Sequence, residues 1–174
     1  MTDLLFEVVG DTVRELTGDP KHLGAEPGFI LTLHTWGRSL SLHPHIRCLI
    51  TAGGLDEEGQ WVSPRRKCFL PAPVVMEVFR GKFLAYLRRA EEAGELCLPQ
   101  DLPPVRLERL LKKLKRVKWN VRVSARYLHG EGVVKYLARY VRSGPLKNSQ
   151  ILQVTETHVT YRYKYPVQRN GESR

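Results

Sequence analysis

The amino-acid sequence predicts an α+β fold, an antiparallel β-sheet flanked by helices, and two kinds of hydrophobic periodicity support this prediction. Apolar residues recur at helical spacing in several long stretches, whereas apolar and polar residues alternate in shorter stretches between them. Glycine and proline separate the stretches, as is typical of the connections between elements. We therefore expect helices and paired strands in one mixed domain.

Each element follows from its local sequence. Residues 3–17 place apolar side chains on one helical face, and Gly18 and Pro20 stop the helix. Two extended runs follow at 29–35 and 45–51. The later elements are a turn-rich hairpin around 56–61, a long helix over 74–93, a short basic helix after Pro104, a half-buried strand over 119–128, a helix over 133–141 and a hairpin over 151–165.

The distribution of charge indicates a polyanionic partner. The formal net charge is +10 and the sequence pI is about 9.8. Residues 1–102 carry a net charge of −3, whereas residues 103–174 carry +13. A basic half of this kind is typical of proteins that bind nucleic acid.

The length and the cysteines limit the class of protein. A chain of 174 residues fits one domain with a real core, so we expect a single domain over 1–174, with a leading helix in 1–18 and a frayed tail in 166–174. The three cysteines are far apart and form no CxxC pair, which predicts neither a disulfide framework nor a cysteine zinc site. The sequence has no apolar run of membrane-spanning length, so we expect a cytoplasmic protein.

Two tyrosines in the 133–141 helix suit nucleophilic chemistry. Tyr136 and Tyr140 are four residues apart and lie at the boundary between an apolar face and a face that carries Lys135 and Arg139. A phenol with its ordinary pKa of about 10 is a poor nucleophile, but nearby cations favour the phenolate and hold a phosphate close. The four-residue spacing of the two tyrosines has a simpler explanation by itself. Their rings would pack at the edge of the apolar face, and their hydroxyls would lie in water.

A histidine pattern marks the second extended run. His43, His45 and Arg47 alternate along it and so share one face, and Pro44 favours an extended backbone at His43. His34 meets this face if the two runs pair antiparallel. Two imidazoles can hold a divalent metal ion that polarises a phosphoryl oxygen, although exposed strand histidines often bind nothing.

Beyond these two motifs, the sequence resembles the two-tyrosine HUH transposases of rolling-circle insertion sequences, the IS91-like group. The resemblance runs from about Asp19 to Tyr165, and its motifs are, in order, PKHLGAEPGFILTLHTWGRSLSLHPHIRCLITAGGL, VFRGKFLAYLRRA and VVKYLARYVRSGPLKNSQIL. It implies a fold similar to that of relaxases and rolling-circle replication initiators, with a ferredoxin-like or RRM-like core. The histidine strand is central in such a fold, and the tyrosine helix packs near it.

The resemblance also implies a reaction. A Mg²⁺ or Mn²⁺ ion at His45, His43 and His34 would polarise the scissile phosphate of single-stranded DNA at transposon ends. Tyr136 and Tyr140 match the tyrosine pair of the family. One tyrosine would form a 5′-phosphotyrosine link and free a 3′-hydroxyl, and the second would allow a further strand transfer. The setting would be the bacterial cytosol or nucleoid.

The sequence departs from the family pattern at Arg47, since His-hydrophobic-His is replaced by His45-Ile46-Arg47. Arginine stays protonated and cannot ligate a cation. Three interpretations follow. The site is lesioned and the chain is a DNA-binding relic; or His43 replaces the missing ligand with help from His34; or Arg47 contacts the phosphate directly as a fixed positive charge. Members of the family usually carry a cysteine-rich zinc-binding segment before this region, and we expect no such segment in residues 1–174.

Several basic residues are candidates for contacts with single-stranded DNA. The candidates at or near the motifs are Arg47, Lys135, Arg139, Arg122 and Arg126, and those of the short basic helix are Lys112, Lys113, Lys115 and Arg116. Among Arg122, Arg126 and the four residues of the short basic helix, a solvated helix face is the alternative explanation for about half. The alternative function is a noncatalytic module that binds single-stranded nucleic acid, with tyrosines such as Tyr161 and Tyr163 stacking on bases. A small interaction protein, the third possibility, explains neither motif.

Overall fold

The computed structural model describes residues 2–37, 41–66, 70–96, 104–140, 146 and 148–162. Its elements are, in chain order, α1 (Thr2–Gly18), β1 (Phe29–Trp36), β2 (Leu42–Ile50), β3 (Gly54–Leu55), β4 (Trp61–Val62), α2 (Ala72–Glu92), α3 (Pro104–Arg116), α4 (Gly130–Tyr140), a 3-10 turn (Asn148–Gln150), β5 (Ile151–Val154) and β6 (Val159–Tyr161). This mixture of helices and antiparallel strands confirms the predicted α+β class.

The strands pair as three two-stranded sheets, β1 with β2, β3 with β4, and β5 with β6. The second and third pairs are antiparallel, with Gly54 opposite Val62 and Ile151 opposite Tyr161. Only residues 37–41 join β1 to β2. A parallel connection needs a crossover of a dozen residues or more, so this pair is an antiparallel hairpin as well. The two predicted hairpins, β3–β4 and β5–β6, are therefore confirmed, and the two extended runs pair in the antiparallel way that would bring His34 to the face of β2.

The strand predicted over residues 119–128 is wrong, because this segment has no regular secondary structure. Alternating polarity does not supply the neighbouring strand that must take up the backbone hydrogen bonds. The segment is held at its start by Trp119, whose indole N–H donates to the carbonyl of Leu114 (2.9 Å). The Trp119 ring also lies edge-on to Phe79 and Phe83, at centroid distances of 5.7 and 5.4 Å. Side-chain packing thus replaces the expected strand pairing.

The chain groups into two compact units. The first consists of residues 1–31 and 48–126, and the second of residues 32–47 and 127–174. In the first unit α1 packs on α2 and α2 packs on α3. The second unit holds most of the β1–β2 hairpin, all of α4 and the β5–β6 hairpin. The expectation of a single domain over 1–174 stays a prediction.

The first unit has an apolar core that its helices build from their periodic faces. The centre of the core is formed by Leu87, Leu107 and Leu111, and the side chains packed against them are Leu4, Phe83, Leu84 and Leu96. The contact between α1 and α2 also contains two polar pairs. The Tyr86 hydroxyl donates to the Asp11 carboxylate, and Lys82 Nζ lies 2.6 Å from a carboxylate oxygen of Glu15. These pairs fix how the two helices face each other.

Candidate functional site

The β1–β2 hairpin brings together the histidines that the sequence places on two separate runs. The rings of His34 and His45 are 5.4 Å apart between centroids, and those of His43 and His45 are 5.3 Å apart. Arg47 Nε donates to Nδ1 of His34 at 3.4 Å. The expectation that His34 meets the face of β2 is therefore confirmed.

The ring of His45 is fixed in one tautomer. Its Nδ1 lies 2.9 Å from the backbone carbonyl of His43. A carbonyl oxygen only accepts hydrogen bonds, so Nδ1 must carry the proton, and the neutral ring presents a lone pair at Nε2. Metal-binding histidines commonly have this arrangement, with the other ring nitrogen donating to a carbonyl. His45 is thus set to offer Nε2 to a ligand.

His34 is oriented differently. Its side chain is buried, at 6% exposure, and its ring stacks on Trp36 with a centroid distance of 4.8 Å and an interplanar angle of 12°. Nδ1 accepts the hydrogen bond from Arg47, so the neutral ring carries its proton on Nε2. The guanidinium therefore holds the one nitrogen of the neutral ring that has a lone pair. A metal ion at that nitrogen would have to displace Arg47.

The described residues contain no group of three or more histidine, cysteine or acidic side chains placed to hold a metal ion. What the hairpin offers is Nε2 of His45, with the exposed ring of His43 beside it. Mg²⁺ commonly takes most of its ligands from substrate phosphates and water rather than from the protein. An ion at the hairpin would therefore need most of its ligands from phosphate and water, and the role of the three histidines as ligands stays a prediction.

The tyrosine helix forms as predicted. α4 runs over Gly130–Tyr140, so positions 136 and 140 lie on consecutive turns of a real helix. Tyr136 is half-buried, and the side chains of Arg139 and Tyr140 lie outside the described residues. Lys135 forms an ion pair with Glu131 one turn earlier, and both side chains are exposed. The positive charge of Lys135, which was expected to act on Tyr136, is thus partly neutralised by Glu131 of the same helix.

Tyr127 is a neighbour of Tyr136 that the sequence did not reveal. The two rings lie 6.1 Å apart between centroids, at 54°. The Tyr127 ring also covers Gly132, where a Cβ atom would come within 2.6 Å of Cδ1 of that ring. The signal available in the sequence was Gly132 itself, since glycine inside a helix costs about 1 kcal/mol relative to alanine and so calls for a reason. Here the reason is the close approach of Tyr127.

The remaining candidates divide between the two units. Arg122 and Arg126 are exposed and belong to the first unit, whereas the histidines, Arg47, Lys135 and both tyrosines belong to the second. Tyr163 lies outside the described residues.

Cys48, the next residue after Arg47, is unsuited to nucleophilic attack. Burial raises the pKa of its thiol to about 11, so the thiol stays protonated near neutral pH.

Comparison with known proteins identifies the class of protein as the transposases. The model of the family described as "Putative transposase" matches residues 28–174. The match covers well over half of the chain, and the chain belongs to this family, whose members are IS91-like transposases.

Two curated relatives illustrate the similarity. The chain is 34% identical over 166 residues to "Putative transposase y4qJ" of Sinorhizobium fredii (strain NBRC 101917 / NGR234), which covers 92% of the chain and 42% of the relative. It is 28% identical over 172 residues to "Transposase for insertion sequence element IS801" of Pseudomonas savastanoi pv. phaseolicola, which covers 95% of the chain and 39% of the relative. The chain thus spans about two-fifths of the length of these relatives.

Two further comparisons bear on the fold and on membranes. No solved structure matches the chain. Within the part of the chain that the structure describes, none of the helices combines the length and the apolar character needed to cross a membrane.

Proposed function

We propose that this chain nicks and rejoins single-stranded DNA through a 5′-phosphotyrosine intermediate, with Tyr136 and Tyr140 as nucleophiles. The observation that carries the proposal is that His34, His45 and Arg47 form one cluster, in the same compact unit as the tyrosine helix of a transposase-family chain. Mobile elements need such strand transfer at their ends. The core would then be of the HUH type, and the partner would be the single strand at a transposon end.

The proposed reaction conserves the number of phosphoester bonds, because each P–O bond that breaks is replaced by another. The phenolic oxygen of Tyr136 attacks the scissile phosphorus, an O–P bond forms, and the bond from phosphorus to the 3′-oxygen breaks. The phenol loses its proton, and the departing 3′-oxygen gains one. Reversal with a different 3′-hydroxyl rejoins the DNA without ATP. Tyr140, on the next turn of α4, would accept a second strand while the first stays attached.

The histidine hairpin would bind the scissile phosphate. His45 through Nε2, with His43 and His34 near it, would hold a Mg²⁺ or Mn²⁺ ion, which when bound supplies positive charge that polarises the phosphate. Arg47 would donate hydrogen bonds to phosphate oxygens as a fixed cation. The residues that would contact the DNA backbone elsewhere are Lys135, Arg139, Arg122 and Arg126.

The direct test is the covalent product. Wild-type protein is incubated with labelled, hairpin-bearing single-stranded DNA and Mn²⁺, and a denaturing gel is examined for a protein–DNA band. We expect a band for wild type and for Tyr161→Phe, the matched control on β6, and none for the Tyr136→Phe, Tyr140→Phe double variant. No band with wild type would refute the enzymatic proposal. A band from the double variant would refute the assignment of the nucleophiles.

A second candidate function is binding of single-stranded DNA without cleavage. The observation that favours it is the hydrogen bond from Arg47 to His34, because this arginine occupies the place of the second motif histidine. An Arg47→His variant separates the two functions. If the chain is a relic, the variant gains the covalent band, whereas if Arg47 contacts the phosphate of an active site, the variant loses it.

The ligand assignment has its own test. His45→Ala should abolish Mn²⁺-dependent product, and His22→Ala, in the first unit, should not. Loss of product in His43→Ala would identify His43 as the replacement ligand. Titration of Mn²⁺ by calorimetry in the presence of uncleavable DNA gives a readout that does not depend on activity.

A further inference from the structure

We propose that α3 carries a second DNA-binding surface, which binds the phosphate backbone of double-stranded DNA. We define this basic face by four exposed side chains, Arg109, Lys112, Lys113 and Arg116. The surface lies in the first unit, whereas the proposed tyrosine site lies in the second. It therefore extends the proposed function with a separate site for a different form of DNA.

The packing of α3 determines which side it presents to solvent. Leu107 and Leu111, at 6% and 2% exposure, anchor the helix in the core beside Leu87. At 100° per residue the basic face lies opposite these two leucines. Its four cations lie on two consecutive turns, a length of roughly 10 Å. The core thus fixes a short row of cations in place.

The charge of this row is not neutralised by acidic neighbours in sequence. Residues 104–130 contain nine lysines and arginines and a single acidic residue, Glu108. Glu108 lies on the flank of α3, and its carboxylate is 3.4 Å from Nε of Arg88 on α2. The acidic side chain of the helix is thus directed to α2, and the row presents a field of one sign.

The segment after α3 is fixed to the same scaffold. Arg80 on α2 donates to the carbonyl of Val117 at 3.2 Å, and Trp119 donates to that of Leu114. Lys118 and Arg122, which follow, are exposed and add positive charge. A surface held in place before binding loses less conformational entropy when a ligand binds.

The composition of the surface favours duplex DNA over a single strand. Proteins that bind single strands combine cations with aromatic rings on which bases stack. α3 has no aromatic residue over Pro104–Arg116, so this face offers cations for phosphates and no ring on which a base could stack. A surface of charge alone binds best to the polyanion of highest charge density, and duplex DNA has one charge per roughly 1.7 Å of axis.

The test measures affinity for a short blunt-ended duplex, and for one of its strands alone, by fluorescence anisotropy over a series of KCl concentrations. The test variant combines Arg109→Gln, Lys112→Gln and Arg116→Gln. The matched control combines three exposed cations of the same unit, Lys21→Gln, Arg65→Gln and Arg66→Gln, and so has the same net charge. Circular dichroism verifies that both variants are folded, as exposed substitutions should be.

We expect the test variant to lose at least about tenfold in affinity and about 2 to 3 units of the slope of log K against log salt, since each phosphate contact contributes about 0.9. The control should change less than about threefold. Equal losses in the two variants would overturn the proposal, because they would show a general charge effect on a solvated face. A loss confined to single-stranded DNA would overturn the choice of duplex. No strand is cut in this assay, so its result is independent of the tyrosines.

Discussion

The two compact units differ in what holds them together. Every apolar side chain of the buried core, from Val8 to Leu111, belongs to the first unit. Among the described residues of the second unit, His34 is the one buried side chain, and its contacts include a stacked indole, a guanidinium and the ring of His45. Hydrophobic burial thus stabilises the helices, whereas polar and aromatic contacts organise the candidate site.

This difference bears on where stability and chemistry are located. Regions with few buried apolar contacts open at lower free energy than the core does. Binding and catalytic groups often lie in such regions because they must meet a ligand. The β5–β6 hairpin, exposed at every strand residue except Tyr161, belongs to the same class. We therefore expect substitutions in the apolar core of the first unit to act on stability, and substitutions of the clustered histidines and the tyrosine pair of the second unit to act on function.

The largest effect is expected from the core of the first unit. Leu111→Ala removes a side chain that is 2% exposed and should lower the free energy of unfolding by about 2 to 5 kcal/mol, through lost burial and a cavity. Leu110→Ala, next to it but 41% exposed, is the matched control and should cost less than about 1 kcal/mol. Urea denaturation followed by circular dichroism measures both. Equal losses would contradict the position of the core.

A smaller effect, which depends on pH, is expected at the α1–α2 contact. The hydrogen bond to Asp11 raises the pKa of Tyr86 above its ordinary value of 10.0, with burial as the next cause, and the bond to Glu15 raises that of Lys82. The folded state therefore holds both protons more tightly than the unfolded state. The stabilisation is complete below a pH of about 10 and is lost as the pH rises through the folded pKa values.

Tyr86→Phe removes one of these two contributions. At mildly alkaline pH it should cost about 1 kcal/mol, the usual net value of such a hydrogen bond. The difference from wild type should shrink as the pH rises above about 10, where wild type loses the same bond. Denaturation midpoints over an alkaline series measure this, with Tyr127→Phe in the second unit as the control. A difference that stays constant with pH would show that the bond to Asp11 does not stabilise the fold.

The sequence predicted the elements whose signal is local and missed those that depend on a distant partner. Helical spacing predicted α1 to α4, and turn residues and alternation predicted the β3–β4 and β5–β6 hairpins. The strand expected over 119–128 failed because alternation cannot show whether a neighbouring strand exists. In its place Trp119 packs on Phe79 and Phe83, which lie 40 and 36 positions earlier in the chain.

For the candidate site, the sequence predicted which histidines come together but not the contacts of Arg47 and Tyr127. Antiparallel pairing of two neighbouring runs was enough to place His34 beside His45. The hydrogen bond from Arg47 to Nδ1 of His34, which a metal ion at that nitrogen would have to displace, was not predictable. It depends on which ring nitrogen faces the guanidinium. The contact of Tyr127 with Gly132 was missed for a related reason, since it depends on how the chain enters α4 and periodicity within the helix does not describe that entry.

The smallest expected effect on stability, and the sharpest test of the second unit, is at Gly132. Gly132→Ala should gain up to about 1 kcal/mol of helix propensity. It should lose most of this gain because the new Cβ forces the Tyr127 ring to move, so the net change should lie within about 0.5 kcal/mol.

Removing the Tyr127 ring should make the gain in helix propensity measurable. In a Tyr127→Ala background, Gly132→Ala should stabilise α4 by about 0.5 to 1 kcal/mol, and thermal denaturation of the four proteins of the cycle gives the coupling. Gly130→Ala is the matched control, since nothing lies within 4 Å of its Cβ position, and it should show no coupling to Tyr127. If Gly132 and Tyr127 also prove uncoupled, the ring does not lie over α4. The contact between Tyr127 and Tyr136 would then be lost with it, and the tyrosine helix would owe its arrangement to other neighbours.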